Sequence, residues 1–134
     1  MRCILTLTTS VDGNKSKATR SAELNSSSTN AELRYSEGTG VSVLRFFEDC
    51  VEILRDGDYG LRLCLRENET TKGALLLGGA SGDIETYTHK IRVQKGNENF
   101  FALLEYDLII SGERQQMRVL LQTKTIKNEG NYAN

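Results

Sequence analysis

The sequence has no proline. Proline fixes φ and removes a backbone donor, so a chain without it can hydrogen-bond its backbone throughout, as a sheet closed on itself requires. This is compatible with a barrel and does not demand one. Histidine occurs once, at His89, and a zinc site usually draws on several His or Cys ligands. Cys3, Cys50 and Cys64 are odd in number and lack metal-ligand spacing. They read as reduced thiols of a cytoplasmic protein, with no metal and no cofactor expected. No apolar run reaches the roughly 18 residues of a membrane-spanning helix. The opening MRCILTLTTSVDGN is too short and too alternating for a signal peptide. Net charge is -1, with Lys and Arg scattered. Without a basic stripe, and with aromatic residues mostly in apolar segments, no nucleic-acid partner is expected.

What is present is alternation. The chain of 134 residues has the length of one ordinary domain, read as 1–134, and can bury a real core. Asn99 to Thr125 carries the clearest signal. Ala102, Leu104, Tyr106, Leu108 and Ile110 share one face of an extended segment, and Phe101, Leu103, Glu105, Asp107 and Ile109 share the other. Met117, Val119 and Leu121 continue the pattern after Ser111-Gly112-Glu113. Period two around a short Gly-containing connection predicts a β-hairpin, which needs further strands to bury its apolar face.

Further strands follow from the same pattern at Arg2–Thr9, Ala18–Leu24, Ala31–Tyr35, Leu61–Leu65, Ala74–Leu77 and Asp83–Val93. The last of these changes phase. Ile84, Thr86 and Thr88 share one face, whereas Tyr87, His89, Ile91 and Val93 share the other, which suggests a bulge. Polar turns are read at Ser10–Lys17 and Glu67–Gly73, a flexible connection at Gly78–Gly82, and a polar, frayed tail at Lys127–Asn134. Val41 to Arg55 is ambiguous. Helical spacing of Val43, Phe47, Cys50, Val51 and Leu54 competes with two strands turning at Glu48-Asp49, and local pattern alone favours the helix.

A series of short motifs bears on that choice. Tyr35-x-Glu37, Val51-x-Ile53-x-Arg55-x-Gly57, Gly82-x-Ile84, Glu105-Tyr106-Asp107-Leu108 and Gly112 follow one another in an order that resembles the YwiB-like family of small, largely uncharacterised bacterial proteins. The resemblance runs from Arg34 to Thr123. It departs from the family where Gly78-Gly79-Ala80-Ser81 replaces the lead into a central glycine. It implies a calycin-type barrel, lipocalin-like, and two strands across Val41–Arg55. The expected fold is therefore all-β, an up-and-down antiparallel barrel of about eight to ten strands.

Functional motifs are few. Gly78–Gly82 lacks the helix and the Gly-Lys-Ser/Thr of a phosphate loop, and reads as a turn. His89 has Ser81 and Asp83 near it in sequence, but one strand or turn cannot set them in triad geometry, and a sheet-face histidine is expected. Glu105 and Asp107 read as the solvated side of a strand rather than an acid–base pair. Arg55 differs. If Val51 and Ile53 point into the barrel, so does Arg55, near its end, where a guanidinium needs a partner. That partner is either a protein carboxylate, with Glu37 the candidate, or the acidic group of a ligand. Tyr106, facing inward, also needs a partner for its hydroxyl. Arg55, Tyr106, Glu37 and Tyr35 are the candidate ligand contacts, and no catalytic or metal-binding residue is assigned. The expected function is non-enzymatic: binding of a small amphipathic or acidic ligand in the barrel mouth. The alternative is a structural or protein-interaction module with a filled barrel.

Overall fold

A computed structural model describes residues 1–126; the tail Lys127–Asn134 lies outside the described residues. Ten strands follow in order: β1 (Arg2–Val11), β2 (Asn14–Ser26), β3 (Ala31–Glu37), β4 (Gly40–Phe46), β5 (Val51–Asp56), β6 (Tyr59–Leu65), β7 (Thr70–Leu77), β8 (Ala80–Lys95), β9 (Asn99–Ile110) and β10 (Glu113–Thr125). Each pairs antiparallel with its neighbour in sequence, and β1 pairs with β10, so the sheet closes into an up-and-down barrel. Closure leaves no strand edge for another chain to extend.

Alternation decides which residues fill the barrel. Leu5, Leu33, Leu63, Leu65, Leu104 and Leu121 are fully buried and come from five different strands. Across β4 and β5 the pairs Leu44↔Ile53 and Phe46↔Val51 continue this inner set. Val41–Arg55 is therefore two strands with a short turn. Local helical spacing loses because Phe46 and Val51 each bury fully on the inner face, which one helix on this barrel would not permit.

The bulge falls where the phase changes. Thr88 pairs with Tyr106 and Lys90 with Glu105, so His89 is the extra residue without a partner. Ile91 returns to the inside, against Leu104.

Two turns are tighter than the sequence reading. The Gly78–Gly82 connection is only Gly78-Gly79, with φ of 54° and 83°, a two-residue turn whose left-handed twist suits glycine at both positions. Ala80 to Gly82 already pair in β8. Likewise β7 begins at Thr70, inside the segment read as a polar turn. Its inward side chain there is polar, because Thr71 Oγ1 meets Thr86 Oγ1 at 2.7 Å, and so the stretch carries no hydrophobic alternation. β2 also outruns its apolar segment, since Asn14–Lys17 pairs with β1 through polar residues.

Candidate functional site

Five turns share one end of the barrel, joining β1–β2, β3–β4, β5–β6, β7–β8 and β9–β10. At this end the inner face of β5 delivers Arg55, level with Ser42 on β4 and Leu61 on β6. The side chain is only 9 % exposed. Nη1 donates to Asp58 Oδ1 at 2.9 Å and to the Tyr59 carbonyl at 3.1 Å, and Nη2 donates to the Glu37 carbonyl at 3.3 Å. The Tyr59 ring covers the guanidinium 4.0 Å from its centroid. Nε is buried without a partner. Gly40 makes room: a Cβ there would lie 2.5 Å from the guanidinium carbon.

The sequence reading named Glu37 as the carboxylate partner, and this is corrected. Asp58 supplies the carboxylate, while Glu37 contributes its main-chain carbonyl. Asp58 lies three residues beyond Arg55, across the tight turn, so it reaches the guanidinium with less chain to order than Glu37 on the neighbouring hairpin. Its hydrogen bond from Arg55 holds the Asp58 carboxyl below the usual range. Burial works against the charged guanidinium, but the Asp58 hydrogen bond together with Tyr59, Asp58 and Glu37 charges leaves Arg55 above its ordinary value.

Tyr35 and Tyr106 belong to the same interior. Burial first, then the Glu37 charge, raises the Tyr35 hydroxyl; Ser42, Arg20 and Arg55 oppose it. Tyr106 is 5 % exposed. Burial, with Tyr35 beside it, pushes its hydroxyl up to about 12. The four candidates thus form one chain of neighbours, from Arg55 and Glu37 through Tyr35 to Tyr106. Sequence reasoning missed Asp58, Tyr59, Gly40 and Arg20. Asp58 was legible, as an acid three residues from an inward arginine across a Gly turn. Arg55 and Leu61 also border a groove of ≈ 480 Å³ whose other lining residues include Val41, Val43, Leu54 and Leu76 of the outer wall, with Arg34 and Arg62 beside them.

The outer wall holds a second cluster. His89 Nε2 lies 3.1 Å from Asp107 Oδ2, and Arg114 Nη1 donates to the same oxygen. Asp107 faces outward as expected but is not solvated: its side chain is 8 % exposed beneath those partners. Burial pushes its pKa up, and the hydrogen bonds from Arg114 and His89 outweigh that and hold it below the usual value. Ser10 shares a groove of ≈ 320 Å³ with His89 and Asp107. Yet β10 and β9 stand between β1 and β8, three spacings or about 14 Å at ~4.8 Å each. That is too far for nucleophile and base.

The fold defines a class: a closed ten-stranded up-and-down barrel. Within it, the chain is similar in structure to the ywiB protein from Bacillus subtilis, with a TM-score of 0.81, 13% sequence identity, and coverage of 94% of this chain and 92% of that one. At that identity the likeness concerns the fold. No protein-family model and no curated protein matches the sequence. Among the described residues no helix is long and apolar enough to cross a membrane.

Proposed function

We propose that this is a non-enzymatic cytoplasmic protein that binds a small acidic amphipath at the mouth of its barrel. The observation that supports this is Arg55. It stands on the inner face at the rim with Nε buried and unpartnered, where a largely apolar groove flanked by Arg34 and Arg62 begins. An acidic head would meet the Arg55 side of the groove, and an apolar body would lie along Val43, Leu54 and Leu76. The barrel below is filled by leucines, so the ligand sits at the rim rather than deep inside. Ligand pockets combine an apolar lining with a few placed polar groups in this way.

A second reading has its own observation. Three acceptors on two hairpins already hold the guanidinium, so Arg55 serves as a clasp between the β3–β4 and β5–β6 turns. The two readings separate on Arg55→Lys. A lysine keeps the charge but not the planar fork. Under the binding reading, titration with a fluorescent fatty acid shows weaker uptake while the urea midpoint stays near wild type. Under the clasp reading, Arg55→Lys and Arg55→Met both lower the midpoint. Absence of probe uptake by the wild-type protein rejects binding of this class.

A further inference from the structure

Cys50 and Cys64 lie toward the other end of the barrel. Cys50 sits one residue before β5, and Cys64 lies within β6. Val51 pairs with Leu65 and Glu52 with Cys64. The two cysteines therefore flank one cross-strand pair, and both alternate away from the buried Val51 and Leu65. They are diagonal neighbours on the outer wall, each half-buried. The two thiols are near enough for each to bear on the other's charge. Arg66 lies beside both and donates to Asp49 Oδ2 at 3.0 Å. Cys3, by contrast, is sealed in the core.

Two chemistries suit a pair of thiols, and distance chooses between them. A disulfide needs sulfurs at ~2.05 Å and Cα atoms within about 7 Å. Diagonal neighbours on antiparallel strands stand about 7–8 Å apart at Cα, so the backbone would have to move. A bridging ion relaxes the demand, since two metal–sulfur bonds of roughly 2.3 Å tolerate sulfurs up to ~4.6 Å apart. Among the described residues no group of three or more His, Cys, Asp or Glu side chains could hold a metal ion. A four-coordinate ion such as zinc therefore lacks a donor set there, whereas soft cations select thiolates.

We propose that Cys50 and Cys64 together bind one soft monovalent cation of the copper(I) class. Two S–H bonds break, two metal–sulfur bonds form, both protons pass to solvent, and no electron moves. The resulting dithiolate complex carries one net negative charge, and Arg66 is placed to offset it. Because each sulfur gives up its proton on binding, uptake is pH-dependent.

The test is an anaerobic titration of the purified protein with copper(I) against a chromogenic copper(I) chelator. Wild type and Cys3→Ser should each withdraw one equivalent. Cys50→Ser and Cys64→Ser should withdraw none while keeping wild-type melts, because both positions are half-buried on the outer wall. Arg66→Gln should bind roughly 10-fold more weakly, as expected when a supporting group is lost. Uptake retained in Cys64→Ser overturns the proposal. So does a wild type that takes up no copper, or one in which the pair loses two hydrogens to form a disulfide.

Discussion

Tyr106 couples the barrel interior to pH. Burial, with Tyr35 beside it, raises the pKa of its hydroxyl from 10.0 to about 12. The fold thus favours the neutral phenol. The resulting stability is complete below the unfolded value near 10, and it is lost as pH rises through the folded value. Two pH units correspond to about 3 kcal/mol once both states have ionised. At pH 11 the unfolded chain is mostly ionised and the folded chain mostly not, so roughly half is already gone. Other groups titrate in the same range, Tyr35 among them, and the measurement must therefore be a difference. Urea denaturation of wild type and Tyr106→Phe at pH 8, 9.5 and 11 would be compared. The stability difference should stay constant to about pH 9.5 and then move against the wild type by about 1–1.5 kcal/mol at pH 11. Absorbance at alkaline pH should show that the phenol removed by the substitution is among the last to ionise. A stability difference that stays flat to pH 11 would refute the assignment of the Tyr106 hydroxyl to a buried position.

Gly57 offers a steric test. A Cβ there would lie 2.5 Å from the Gly40 Cα, which is main chain and cannot swing aside. Gly57→Ala should therefore cost about 1–3 kcal/mol by chemical denaturation, as overpacking does, and a neutral result would reject the close approach of the two turns. Asp107, held below the usual carboxylate range by Arg114 and His89, adds stability above its unfolded value near 3.9 that is lost as pH falls through the lower folded value. Asp107→Asn should be less stable than wild type at pH 7 and lose less on acidification below about pH 4; parallel acid-unfolding curves would contradict the buried ion pair. Thermal melts with and without a chelator of divalent ions should superimpose, because no donor cluster for such an ion occurs among the described residues; a lowered midpoint would point to a structural metal.

Much of the barrel was legible because one face of nearly every strand is apolar. Leu5, Leu33, Leu63 and Leu104 announce their strands, and the phase change at His89 announced the bulge before any pairing was known. The signal failed where the inward face is polar or the strand lies beyond the core. Thr71 and Thr86 satisfy each other inside the barrel, so β7 begins earlier than its leucines suggest. Asn14–Lys17 continues β2 with no apolar residue at all, held by ladder hydrogen bonds to β1. In Val41–Arg55 the local spacing pointed to a helix. Strands prevail there because closing the ladder places Leu44, Phe46, Val51 and Ile53 against a core drawn from distant parts of the chain.

The rim site shows a different limit. Alternation from Val51 through Ile53 was enough to place Arg55 inside, because a strand's side-chain period is two and a one-residue slip would invert every position. Alternation says nothing about acceptors on other strands, and two of the three that hold this guanidinium are main-chain carbonyls, at Glu37 and Tyr59. A backbone carbonyl has no sequence signature, since every residue carries one. Its availability depends on where the ladder ends. Glu37 is the last residue of β3 and Tyr59 the first of β6, the positions where turns release carbonyls from strand pairing. The arginine is thus anchored by the ends of two hairpins, and its cover, Tyr59, belongs to one of them. Gly40 completes the clasp: the guanidinium lies so close to it that a Cβ there would stand 2.5 Å from the guanidinium carbon, so only the absence of a side chain lets the arginine take this place.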